Sequence, residues 1–263
     1  MSNSDIEHPG AQRNFKAKTV LITGGGTGVG LECAKLFAQQ EANILLVGRD
    51  SKKLQAAQDL LHQSYGAEVH CLTGDVSDPT TADKAMAYAQ EIMHSPVDIL
   101  INNAGAIVRA DACNTSDEQW RQVMDINING VFYFSRAAAN QMKDGGAIIN
   151  LSSTCGSMGS AGLAAYCASK GAVNMLTKTM ALELAGRRIN VNAVAPGAIN
   201  SPMLFSKHQT QALADSVIER NLASIPIGAV AQPEEVARSV LFLATEPHIT
   251  GEILAVDGGY TAG

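Results

Sequence analysis

A chain of 263 residues, 46% hydrophobic and 17% charged, carries enough apolar side chains for a large buried core. Its net charge of −6 and the lack of any Lys/Arg-rich tract disfavour nucleic acid or an anionic membrane as partner. No apolar run approaches the roughly 18 residues of a membrane span, and the five cysteines (Cys33, Cys71, Cys113, Cys155 and Cys167) contain no Cys-x-x-Cys pair, so we expect a soluble, cytoplasmic protein with neither a disulfide framework nor a metal site.

Residues 1–13 are polar and read as a mobile arm ahead of a single domain spanning 14–263. Strands are predicted at 19–23, 43–47, 68–73, 99–102, 147–152, 190–194 and 253–256, several of them continuously apolar. Helices are predicted between them at 31–40, 51–65, 80–93, 116–142, 164–185 and 233–244. In the last, Gln232-Pro233-Glu234-Glu235 has the proline and acids of a helix start. The alternation predicts an α/β fold, a doubly wound parallel sheet of about seven strands with helices on both faces.

The first strand runs into Thr23-Gly24-Gly25-Gly26-Thr27-Gly28-Val29-Gly30, and a helix follows at once. Glycines there permit a tight turn and let backbone approach a pyrophosphate, which the helix N-terminus attracts. Thr23, Gly24, Gly26, Thr27, Gly28, Val29 and Gly30 are therefore candidate cofactor residues in a Rossmann-type fold. The second strand ends in Leu45-Leu46-Val47-Gly48-Arg49-Asp50. An acid at this point binds a ribose 2′-hydroxyl, whereas arginine suits a 2′-phosphate. Arg49 favours NADP(H) over NAD(H). Asp50 reaching a ribose would favour NAD(H), and both residues could instead simply cap and solvate the next helix.

Ser153, Tyr166 and Lys170 carry the chemistry. Tyr166 and Lys170 are four residues apart and share one helix face, and Ser153 lies thirteen residues before Tyr166. A phenol has a pKa of about 10, and a cation one turn away is expected to lower it. A serine hydroxyl can hold a carbonyl oxygen within reach of that phenol. Beside a hydride carrier, this is a site for interconverting a carbonyl and an alcohol. Ser152 competes with Ser153 for the role. Thr154, Cys155 and Ser157 would form one wall of the substrate pocket, although Cys155 and Cys167 also read as small buried hydrophobes. The segment 200–225, including Met203 and Leu204, reads as a substrate lid or, in its distal half, a surface helix.

The ordered set Thr23-Gly24-x-x-x-Gly28-x-Gly30, Asp75-Val76, Asn102-Asn103-Ala104-Gly105, Asn127-x-x-Gly130, Ser153, Tyr166-x-x-x-Lys170 and Pro196-Gly197 resembles the short-chain dehydrogenase/reductase family over nearly the whole chain. The resemblance implies a nicotinamide cofactor and a homotetramer (or homodimer). It implies that Asp75 and Val76 meet the adenine, and that Asn103, Ala104 and Gly105 pass behind the cofactor or serve as scaffold. Pro196, Gly197 and Ile199 would line the nicotinamide face, and Lys170 would also bind its ribose. Asn127, rather than nearby Asn129, would bend its helix and hold a water beside Lys170, unless its role is only structural. Gly48 stands where the family usually has aspartate, and Gly26 and Thr27 where NADP(H) users often carry a basic residue. Ala229 after Pro226-Ile227-Gly228, where the family often has arginine, and a turn at 245–251 about two residues shorter than usual fall near regions of subunit contact. The reading is a carbonyl reductase or alcohol dehydrogenase. A reductase of an activated C=C bond is disfavoured by the four-residue Tyr–Lys interval, and a non-catalytic dinucleotide-binding protein by the intact Asn/Ser/Tyr/Lys set.

Overall fold

The computed structural model of the protein describes residues 15–201 and 222–263. The arm expected at 1–13 and most of the expected lid, with Met203 and Leu204, lie outside the described residues. Seven strands, β1 (Thr19–Thr23), β2 (Asn43–Gly48), β3 (Val69–Thr73), β4 (Ile99–Asn102), β5 (Ala147–Leu151), β6 (Asn190–Pro196) and β7 (Ile253–Val256), form one sheet in the order β3-β2-β1-β4-β5-β6-β7. Every pairing is parallel.

Among the described residues the principal helices are α1 (Gly28–Gln39), α2 (Ser51–Tyr65), α3 (Pro79–Glu91), α4 (Asp117–Met124), α5 (Gly130–Gln141), α6 (Ala164–Leu184) and α7 (Pro233–Thr245). They cover both faces because successive strand residues point to opposite sides. Val20 and Ile22 of β1 join a core containing Cys33 and Phe37 of α1, Leu54 of α2 and Val240 of α7. Leu21, between them, joins a second core with Met86 of α3, Phe134 of α5 and Met180 of α6. Phe37 and Phe134 are fully buried, and each such side chain contributes about 1.5–3 kcal/mol by leaving water.

Helix starts follow local chemistry. The Asp50 carboxylate accepts from Lys52 N and Lys53 N at the head of α2, and Asp78 accepts from Thr80 N at the head of α3. Gln232 N donates to Glu235 Oε2 at 2.7 Å, which fixes the predicted start of α7. The helix expected at 116–142 runs from Asp117 to Gln141 with a π-helical turn inside it, where the resemblance placed a bend at Asn127. Between α4 and α5 the chain makes a π-helical turn, Asp125–Asn129. The turn brings the buried Asn127 amide to the loop after β4. Gly130 follows it, because a Cβ there would lie 3.0 Å from Val76.

From β1 the chain winds outward to β3, then crosses back to β4 and winds the other way. A crevice opens where that direction reverses, beyond the carboxyl ends of β1 and β4, the usual ligand position in such sheets.

Candidate active site

The glycine loop after β1 sits in this crevice, tied to the turn after β4. Asn103 Nδ2 donates to Thr23 O at 3.0 Å and to Gly24 O at 3.1 Å. Asn103 N and Ala104 N both donate to Thr23 Oγ1. The scaffold reading of the Asn103 side chain therefore fits the geometry. A Cβ on Gly30 would lie 2.5 Å from both Gly24 O and Asn103 Nδ2, so α1 packs here only because Gly30 has no side chain. Gly28 differs. Its φ is +56° and a Cβ would meet nothing within 4 Å, so it leaves open space above the start of α1. Thr27 makes no side-chain cap there, and the first turn carries no acid. A bare cradle at a helix N-terminus suits a pyrophosphate. The residues thus fit a dinucleotide.

At the end of β2 the two candidate residues separate. Asp50 is held below the usual carboxylate range, chiefly by the Lys53 N–H, and caps α2. Arg49 is 67% exposed, and its Nη1 lies 3.9 Å from Asp75 Oδ2. Asp75 Oδ1 accepts from Ser77 N and Ser77 Oγ, which fixes the turn after β3. Val76 is buried against Gly130. Gly26 packs on the backbone of Lys53, so α2 brings a lysine to the loop that sequence reasoning did not single out.

The proposed catalytic side chains converge on the far side of the crevice. Ser153 follows β5, Tyr166 and Lys170 lie on α6, and all three are buried. Ser153 and Tyr166 line a cavity of about 230 Å³ with Thr154, Cys155, Pro196 and Ile199. Gly197 lies in the same wall. Ser153 Oγ accepts from Cys155 N at 3.2 Å. Ser152 is otherwise committed, donating to Asn174 Oδ1 at 2.5 Å. Ser157, expected in the wall, is drawn instead toward Asn174, whose Nδ2 is 3.5 Å from its hydroxyl.

Asn127 is wholly buried. Its Oδ1 accepts from Ala106 N at 2.7 Å, and its Nδ2 donates to Ala106 O and Ser169 Oγ. Ser169 Oγ in turn donates to Tyr166 O at 2.8 Å. Asn127 therefore joins the loop after β4 to the turn of α6 that carries Tyr166. Asn129 donates to Asp125 instead and takes no part. Ser169 has no sequence signal, because its partner is forty-two residues away.

The acidity of Tyr166 departs from expectation. Burial, then the neighbouring Cys155 thiol, pushes the phenol up to about 12, against a lowering hydrogen bond with Ser153. Lys170 Nζ donates to Leu151 O at 2.6 Å and lies 5.7 Å from the Tyr166 ring centroid. Burial brings Lys170 itself down to about 8. Desolvation, which penalises both charged forms, outweighs the one-turn attraction that the spacing suggested. Burial also raises Cys155, with Cys167 beside it adding to the effect.

A family model described as enoyl-(acyl carrier protein) reductase matches residues 24–261. Galactitol 2-dehydrogenase (L-tagatose-forming) of Cereibacter sphaeroides is 39% identical over 247 residues, 91% of this chain and 93% of that protein. A solved short-chain dehydrogenase/reductase from Mycobacterium marinum superposes with a TM-score of 0.87 at 32% identity, over 95% of this chain and 98% of that one. The chain belongs to the short-chain dehydrogenase/reductase family. Other relatives include a 3α-hydroxysteroid dehydrogenase of Mediterraneibacter gnavus, 38% identical over 93% of this chain and 97% of that protein. A 3-oxoacyl-[acyl-carrier-protein] reductase of Chlamydia trachomatis is 36% identical over 92% and 96%. This short-chain dehydrogenase/reductase is accordingly an oxidoreductase of CH–OH and C=O groups.

Proposed function

We propose that the protein interconverts a ketone or aldehyde and the corresponding alcohol, with NADP(H) preferred over NAD(H) and Tyr166 as acid/base. The observation that carries this reading is the meeting of Ser153 and Tyr166 at one cavity, with the buried Lys170 ammonium 5.7 Å from the Tyr166 ring centroid, at the same carboxyl end of the sheet as the glycine cradle. The nicotinamide, when bound, supplies or accepts the hydride at the carbonyl carbon. Tyr166 Oη gives its proton to the developing alkoxide, or takes one from the alcohol in the other direction. Ser153 Oγ donates to the same oxygen and fixes it. Lys170 stabilises the tyrosinate when charged and hydrogen-bonds the ribose of the dinucleotide. Asn127 holds the turn of α6 that positions Tyr166. Asp75 and Val76 face the adenine, and Pro196, Gly197 and Ile199 face the nicotinamide.

Two features support NADP(H). Asp50 is engaged at the head of α2, and Arg49 presents a largely exposed guanidinium suited to bidentate binding of a phosphate. Reduction of a C=C bond, suggested only by the name of the matching family model, is disfavoured by the four-residue Tyr–Lys spacing. The reading includes a homotetramer (or homodimer), supported by exposed Met175 and Leu182 on α6 and Phe132 on α5.

A panel of carbonyl and alcohol substrates, followed by NADPH and NADH absorbance, tests the reaction and the cofactor together. Turnover of a carbonyl with NADPH is expected, and Arg49→Ala should weaken NADPH binding at least tenfold more than NADH binding. Equal losses for the two would remove the 2′-phosphate contact. Absence of turnover across the panel would remove the reaction.

A further inference from the structure

Cavity walls made of hydroxyls and aliphatic carbon say little about a substrate, but one lining residue is unlike the rest. Among the described residues that line the cavity holding Ser153 and Tyr166, Arg109 alone carries a fixed charge. It makes no ion pair with any described carboxylate. Its position is set by the backbone. Ala110 N donates to Gly162 O at 3.0 Å, and Ala110 bridges Leu163 in parallel, three residues before Tyr166. Arg109 thus lines the cavity from the loop after β4. Its field reaches the reacting end. Burial dominates and raises both the Cys155 thiol and the Tyr166 phenol, whereas Arg109 acts on each in the opposite direction.

The side chain is exposed at the cavity mouth, and an exposed cation needs no partner to be stable. A guanidinium that pairs with no described carboxylate and lines a substrate cavity, in a chain of net charge −6, nonetheless discriminates among ligands. It attracts an anion, offers it two parallel N–H donors, and gives nothing comparable to an ester or a hydrocarbon. We infer that Arg109 selects substrates bearing an anionic group, a carboxylate or a phosphate, remote from the carbonyl or alcohol carbon. This rests on the carbonyl–alcohol reaction proposed above and names the substrate class for it. Arg109 touches the substrate's tail and takes no part in proton or hydride transfer.

The test pairs each carbonyl compound that the wild-type enzyme reduces with analogues carrying a terminal carboxylate, its methyl ester, or a terminal phosphate. For the wild type, kcat/KM should favour the carboxylate or the phosphate over the ester by roughly tenfold or more, as expected of one charge-assisted contact. The preferred anion identifies which of the two is the natural group. The ratio should shrink as salt rises, fall to near one in Arg109→Leu, and survive in part in Arg109→Lys. A wild-type ratio near one, or a ratio insensitive to both salt and Arg109→Leu, overturns the inference and leaves the reaction standing. If the wild-type enzyme reduces no carbonyl compound at all, the proposed reaction falls and the inference with it.

Discussion

Lys170 holds its ammonium against the Leu151 carbonyl, 2.6 Å away, and forms no salt bridge with a described carboxylate. Its pKa falls from 10.5 to about 8 on folding. Between those values the unfolded chain binds a proton that the folded chain does not, so stability rises with pH across that window. Below about pH 8 the full cost of charging the buried amine is present. The size of the rise is up to about 3 kcal/mol. Urea midpoints at pH 7.5 and 10 for the wild type and Lys170→Met isolate the effect from the cysteines, since the variant lacks only this proton. The wild type should gain stability relative to Lys170→Met as pH rises. Parallel pH dependence of the two proteins would remove the buried amine from the account. Tyr166 and Lys170 are legible in the sequence as a pair with a spacing. The upward direction of the tyrosine shift is not, because it depends on how much water the cavity walls exclude, and those walls come from stretches of chain far apart in sequence.

The loop between β1 and α1 shows how much a short motif can specify. Strand before, helix after and glycines between them predict the cradle, and the close approach at Gly30 explains why its side chain is a hydrogen. Gly30→Ala places a methyl 2.5 Å from a backbone carbonyl that cannot move without the loop. Overpacking of this kind costs about 1–3 kcal/mol. Urea unfolding should show that loss, and a fluorescence titration should show NADPH binding weakened at least tenfold. Wild-type stability with wild-type affinity would mean that the loop and α1 are not packed as described. The helical stretch at 116–142 is legible from its apolar periodicity, which runs through the π-helical turn, but what holds that turn lies elsewhere in the chain, in the partners of Asn127 at Ala106 and Ser169. Local pattern carries no trace of a hydrogen bond across forty-two residues.

The seven-stranded order β3-β2-β1-β4-β5-β6-β7 puts the cradle after β1, Ser153 after β5 and the Pro196 wall at the end of β6 on one edge of the sheet. Residues far apart in the chain share a site because parallel strands all end on the same side. The strand–helix alternation makes the parallel sheet legible, with the limits of β1, β4 and β7 as expected and those of the other strands off by one or two residues. The tail contact through Arg109 is not, since a lone arginine in a loop has no sequence signature. The exposed apolar side chains of α5 and α6 belong to the same account of the whole molecule. Sedimentation equilibrium should give a tetramer or a dimer, and a monomer at micromolar concentration would contradict that assignment. The central claim is that the Tyr166 phenol transfers the proton. Single-turnover oxidation of bound NADPH by a carbonyl substrate, followed by absorbance in the wild type and Tyr166→Phe, tests it most directly. The rate should be at least about 100-fold lower in the variant, with the NADPH dissociation constant within about threefold. A Tyr166→Phe enzyme that turns over at the wild-type rate would contradict it.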